Sequence, residues 1–291
     1  MRSDHYRVEQ VAHGVWAAIA LQAGGGVGNA CIADLEGRSL VVDCGFTPGA
    51  AHDLRAAAEE LAGPVELLVI THGDFDHYGG SSVFADLPIL ATETTRAAIA
   101  ANGPARAAAL QSELDVERAE MEERNAPEWE WEQIRRIAAQ LPFDVALPTD
   151  TYEGERDLGG AVVIDCGAAH TASDAVVWLP GARVLFAGDL VTPGNHSNLT
   201  RGHPPEGWLR ALDRMTALQP EHVFGGHGPV AGPEAISDAR AYVEAAVAAA
   251  DGPGEPEVPT AFAAWEYPDL FAQNVVALSS RSARGQSPPA R

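Results

Sequence analysis

The chain contains no lysine: its 19 basic residues are all arginines, set against 41 acidic ones. That absence excludes Schiff-base catalysis and the lysine of a phosphate-binding loop. With a formal charge of −22 the sequence also lacks the basic field that attracts a phosphate backbone, so no nucleic-acid partner is expected. Cysteine is scarce. Cys31, Cys44 and Cys166 lie far apart in or beside apolar runs, and an odd count without paired spacing argues against a disulfide framework. Long hydrophobic runs are missing too. The N-terminal decapeptide is polar, and the first apolar stretch, VWAAIALQAGGG, is short and glycine-broken. A cytoplasmic protein with no signal peptide and no membrane partner is therefore the expectation. There is no Gly-x-Ser-x-Gly nucleophile elbow. The glycine-rich GGGVGN (Gly24–Asn29) misses the dinucleotide-binding spacing, opens no helix and reads as a flexible loop.

What is present is a globular composition, with 46% hydrophobic and 21% charged residues over 291 positions. Short apolar runs at Gly14–Leu21, Asn29–Leu35 and Arg38–Gly45 read as successive antiparallel strands. Pro48–Gly63 reads as a helix, with proline near its start and glycine after its end. Val65–His72 reads as a buried strand, and strand then helix repeats once more through LPILAT and the segment from Glu93. Residues from about Ala105 to Gln140 are helical and acidic, with a break at Asn125–Pro127, and form a helical insertion too long for a plain loop. Trp129 and Trp131 within it are expected to pack against the body. The second half repeats the pattern: strands at Ala161–Gly167, Asp174–Pro180 and Ala182–Asp189, then helices at Pro204–Leu218 and Gly232–Ala250. Two β-rich halves, each covered by helices, predict an α/β protein built as a four-layer αββα sandwich over residues 1–250. Residues 251–291 are expected to form a Pro-rich linker, a short helix (Thr260–Leu278) and a flexible polar tail.

The chemistry concentrates at the ends of strands. THGDFDHYGG brings His72, Asp74, Asp76 and His77 within six residues, and glycines around them let the backbone curl. Imidazole and carboxylate suit zinc, iron or manganese. His170 follows one predicted strand in a small-residue loop, Asp189 ends another, and His227 ends a third. Such placement aims all of them at one edge of the sandwich.

This ordered series resembles the metallo-β-lactamase superfamily, whose pattern is Thr-His-x-His-x-Asp-His followed by His, Asp and His. The likeness runs from about Val11 to Ala250. It implies two metal ions, the first held by His72, Asp74 and His170, the second by Asp76, His77 and His227, with Asp189 bridging. It also implies a structural role for Asp43 beneath the metal loop. Asp74 departs from the pattern, because a carboxylate stands where the family has histidine. That substitution makes the first site more anionic and harder, so iron or manganese stays open beside zinc. The flavodiiron branch also places a carboxylate here and uses iron, but this chain has no flavodoxin-like domain. The stretches around His170–Val191 and Gly225–Ile236 further resemble second-ring cyclases of aromatic polyketide biosynthesis.

Two divalent ions sharing a water lower its pKa and supply a hydroxide nucleophile, with Asp76 as the catalytic carboxylate. The expected function is hydrolysis of a small-molecule ester, thioester or lactone, including a carrier-protein-tethered polyketide substrate. A di-iron oxidoreductase or oxygenase on the same fold is one alternative, and a non-catalytic binding protein is another. The insertion and the loop Val191–Pro205 are the expected pocket walls, with His196 and His203 as candidate substrate contacts. His5, His13, His52 and His222 have no motif context.

Overall fold

Seven strands lie side by side in the order in which the chain makes them: β1 (Tyr6–Ala12), β2 (Val15–Ala20), β3 (Ala30–Asp34), β4 (Ser39–Val42), β5 (Val65–Val69), β6 (Ile89–Thr92) and β7 (Asp150–Tyr152). The computed structural model describes residues 3–201, 203–252, 254 and 256–285. Strands β1 to β4 form an antiparallel meander, and β5 to β7 are added in parallel. Parallel neighbours need a crossover. Helix α1 (Pro48–Ala62) supplies it between β4 and β5, capped by Thr47 Oγ1, which accepts from the Ala50 amide at 3.3 Å, and the one-turn helix α2 (Phe75–Tyr78) follows β5. The second sheet holds β8 (Glu155–Asp157), β9 (Val162–Asp165), β10 (Ala175–Leu179), β11 (Val184–Phe186) and β12 (His222–Phe224) in the order β12-β11-β10-β9-β8.

Period-two alternation assigns the layers. Cys31, Ala33, Leu40 and Val42 face Val163, Val177, Val184 and Phe186 of the other sheet, forming the inner core. Their neighbours Ala30, Ile32 and Val41 face the opposite way, onto α1 and the helical insertion. A third cluster joins the outer face of the second sheet to α5 (Pro205–Ala217), α6 (Glu234–Asp251) and α7 (Asp269–Gly285). This is the α/β, four-layer αββα sandwich.

Three features differ from the expectations. β1 is an additional edge strand, with Tyr6 buried while Arg7 and Gln10 are exposed. The helical insertion does not start near residue 105: α3 runs unbroken from Glu93 to Glu123 through Pro104, and α4 (Glu128–Ala138) returns after a turn at Asn125, where φ is 50°. Trp131 packs on the first core as anticipated. After residue 250 the described residues include a short turn of helix (Thr260–Phe262) and α7, which starts and ends later than the short helix expected there. Phe271, Val275 and Leu278, at i, i+4 and i+7, place it in the third core cluster. Residues 286–291, the end of the expected tail, lie outside the described residues.

Candidate metal centre

The turn after β5 is organised by one buried carboxylate. Asp43, with φ 59° and no solvent exposure, accepts from the Thr71 amide, from Thr71 Oγ1 and from His77 Nδ1, at 2.8, 2.8 and 2.9 Å. A carboxylate only accepts, so the Thr71 hydroxyl spends its single proton on Asp43. The His72 Nδ1, 2.9 Å from that hydroxyl, must then be the donor. Both rings therefore commit Nδ1 to a donated bond and turn Nε2 toward Asp189. His170 follows the same rule from across the molecule, because its Nδ1 donates to the Asn198 carbonyl at 3.0 Å. Asp174 shapes the His170 turn by accepting from the amides of Ala169 and Thr171 at 3.2 and 2.9 Å.

These nitrogens converge on carboxylates. His170 Nε2 is 3.1 Å from Asp74 Oδ2 and 3.5 Å from Asp189 Oδ2. His227 Nε2 is 3.2 Å from Asp76 Oδ2 and 3.5 Å from Asp189 Oδ2. Asp189 also lies 3.4 Å from His77 Nε2 and 3.8 Å from His72 Nε2, so it touches both halves of the cluster. The donor atoms of His72, Asp74 and His170 lie within 4.8 Å of one another, and so do those of Asp76, His77 and His227. All seven residues singled out in the sequence are thus brought together, in the grouping the resemblance implies.

The donor set fits metal ions. His72 Nε2, His77 Nε2 and Asp189 Oδ1 are buried without a hydrogen-bond partner, a costly arrangement unless something else binds them. Charge balance points the same way. Burial opposes protonation of His227, but Asp189 and Asp76 overcome it and push its pKa up to about 10. Burial likewise opposes protonation of His170, yet Asp74 and Asp189 raise it to about 9. Burial and the neighbouring His77 hold His72 below its usual value. The cluster attracts positive charge, and divalent cations satisfy that demand with the lone pairs aimed at them.

Close backbone packing keeps the cluster in register. A Cβ on Gly226 would stand 2.2 Å from Asp189 Oδ1 and 2.4 Å from His77 Cε1, so only glycine lets the His227 loop pass there. A Cβ on Gly28 would lie 2.7 Å from the Asp76 carbonyl. The Gly24–Asn29 segment, expected to be flexible, is instead mostly buried. Asn29 fastens it by donating to the carbonyls of Gly225 and Gly228 at 3.0 and 2.9 Å.

The loop from Val191 to Pro205 does border the site. It supplies the Asn198 carbonyl to His170, and Arg201 donates to Asp74 Oδ2. His196 does not serve as a substrate contact. It is buried among Tyr242, Trp265 and Phe271, with Nδ1 3.2 Å from Tyr242 Oη and Nε2 3.2 Å from the Phe262 carbonyl, so neither nitrogen is left for a ligand. His203 is half-buried just ahead of α5. Several residues went unnoticed in the sequence. Trp208 packs edge-on against His170 at 5.9 Å between centroids and donates to the Leu190 carbonyl beside Asp189. Asn29 and Asp174 carry no spacing signal, because each acts on backbone outside any local motif.

A two-sheet sandwich with histidines and aspartates gathered at one edge defines a class of metal-binding α/β proteins. The metallo-beta-lactamase superfamily profile matches residues 23–227, well over half of the chain, and the protein belongs to that superfamily. Among solved structures it is similar to the DIM-1 metallo-beta-lactamase (18% identity, 83% of this chain and 98% of that one, TM-score 0.62). It is also similar to metallo-beta-lactamases from Pontibacter korlensis (20%, 82% and 99%, TM-score 0.60) and Erythrobacter litoralis (20%, 84% and 98%, TM-score 0.59). At these identities the likeness shows the fold. No curated protein matches the chain. Among the described residues no helix is long and apolar enough to cross a membrane.

Proposed function

We propose that the protein is a hydrolase that holds two divalent ions and cleaves a small-molecule ester, thioester or lactone. One observation carries this reading: His72, His77 and His170 each spend Nδ1 on a supporting acceptor and aim Nε2 at Asp189. His72, Asp74 and His170 would hold one ion, Asp76, His77 and His227 the other, and Asp189 would bridge them. Ions bound there supply Lewis acidity toward a substrate carbonyl and toward water.

The chain's own groups divide the remaining work. Asp76 engages His227 through Oδ2, which leaves Oδ1 to accept a hydrogen bond from the attacking water and orient it. His77 and His227 keep Asp76 well below the usual carboxylate range against the opposing effect of burial, so it stays an acceptor at neutral pH. Arg201, exposed at the edge of the site and in contact with Asp74, places positive charge where an anionic substrate group or developing oxyanion would lie. His203 is the remaining candidate in this loop for a substrate contact.

Zinc is the first expectation for the ions. Asp74 supports a second reading, a di-iron oxidoreductase, because it makes the first ligand group harder than an all-histidine one. Metal analysis after expression with zinc and iron both supplied, followed by a panel of esters, thioesters and lactones, tests both readings. Zinc with thioester or ester turnover supports the hydrolase, and its polyketide cyclase–thioesterase form is supported if carrier-tethered thioesters are preferred. A bound iron pair without hydrolysis overturns it.

A further inference from the structure

Helix α7 lies beyond the residues matched by the superfamily, yet it reaches the loop behind His170. We propose that Asn274 is a positioning residue of the metal centre, fixing from α7 the loop carbonyl that orients the His170 ring. The inference rests on the metal-binding reading above. Asn274 has no solvent exposure, and its amide is fully used. Oδ1 accepts from the Leu199 amide at 2.8 Å, and Nδ2 donates to the Ser197 carbonyl at 2.8 Å and to Tyr242 Oη at 2.9 Å.

Ser197 and Leu199 flank Asn198, whose carbonyl accepts from His170 Nδ1. Clamping the backbone on both sides of one residue leaves that carbonyl little freedom to swing. With Nδ1 held, the His170 ring presents Nε2 to Asp74 and Asp189. Only an amide side chain both accepts and donates in this way. A carboxylate would face the Ser197 carbonyl with no proton to offer. The helix that carries Asn274 is itself buried in the third core cluster through Phe271 and Leu278. Supporting bonds of this kind fix the orientation of metal-ligating histidines, and losing them typically weakens metal binding about 10–100-fold.

The test compares Asn274→Ala with Val275→Ala, which removes apolar contact from the same helix without touching the clamp. Zinc affinity is measured by competition with a chromophoric chelator, and thermal melting reports general destabilisation. Asn274→Ala is expected to bind zinc about tenfold more weakly than Val275→Ala at a comparable melting temperature. If Asn274→Ala does not fold, Asn274→Asp carries the comparison: it keeps the acceptor for Leu199 and loses both donated bonds, and the same direction is expected. Equal zinc affinity in the clamp and control variants, with normal uptake by the wild type, overturns this proposal alone. Failure of the wild-type protein to take up zinc overturns it together with the metal-centre reading.

Discussion

Asp43 Oδ2 and His77 Nδ1 are 2.9 Å apart, and neither side chain has any solvent exposure. Asp43 is therefore the fixed point of the metal loop, holding Thr71 and, through it, His72 as well. Asp43→Asn isolates this role, because asparagine tolerates the left-handed backbone found at 43. An amide cannot accept from all three donors as a carboxylate does. Zinc affinity is expected to fall about 10–100-fold and stability by about 1–3 kcal/mol. Competition with a chelator and denaturant unfolding measure the two effects, and unchanged metal affinity would remove Asp43 from the site's support.

His170→Ala and Asp189→Ala address the ligands directly. Each is expected to lower the bound metal and abolish hydrolysis while leaving circular dichroism unchanged. Asp189 is the sharper case, since it touches His72, His77, His170 and His227 and its loss should affect both ions. Full activity in either variant contradicts the proposed ligand set.

Asp74→His replaces the one carboxylate that departs from the superfamily pattern. The change removes a negative charge from the first ligand group and the partner of Arg201. Grown with iron and zinc in equal supply, the variant should shift its bound metal toward zinc relative to the wild type. An unaltered ratio means that Asp74 does not set the metal preference.

The seven cluster residues were legible because each ends or follows an apolar strand and six of them match a spaced pattern. The layers were legible for the same reason, since period-two runs such as Cys31–Ala33 and Leu40–Val42 assign their own inner faces. β1 was not, because Arg7, Glu9 and Gln10 give an edge strand the look of a polar tail. Nor were the residues that hold the ligands in place. Asn29 reaches Gly228 at a separation of 199 positions, Asn274 reaches Leu199 at 75 and Trp208 reaches Leu190 at 18, and no local pattern records such contacts. His196 misled for the converse reason: its sequence position beside the site says nothing of a ring that turns into the aromatic core.

Metal removal should destabilise the protein as well as silence it. The proposed ligands come from the turn after β5, the loop after β9, the end of β11 and the end of β12, so they meet only in the folded chain. An ion that binds the native state alone stabilises it by about 2.7 kcal/mol at a hundredfold excess over its Kd. For a chain of this size each kcal/mol corresponds to roughly 2–4 °C. Adding a strong chelator to the metal-loaded protein should therefore lower Tm by about 5–10 °C. Restoring zinc should raise it again, with the gain growing as free zinc is increased. A melting temperature indifferent to chelator, in protein that elemental analysis shows to contain metal, would place that metal outside the cluster of His72, Asp76 and Asp189.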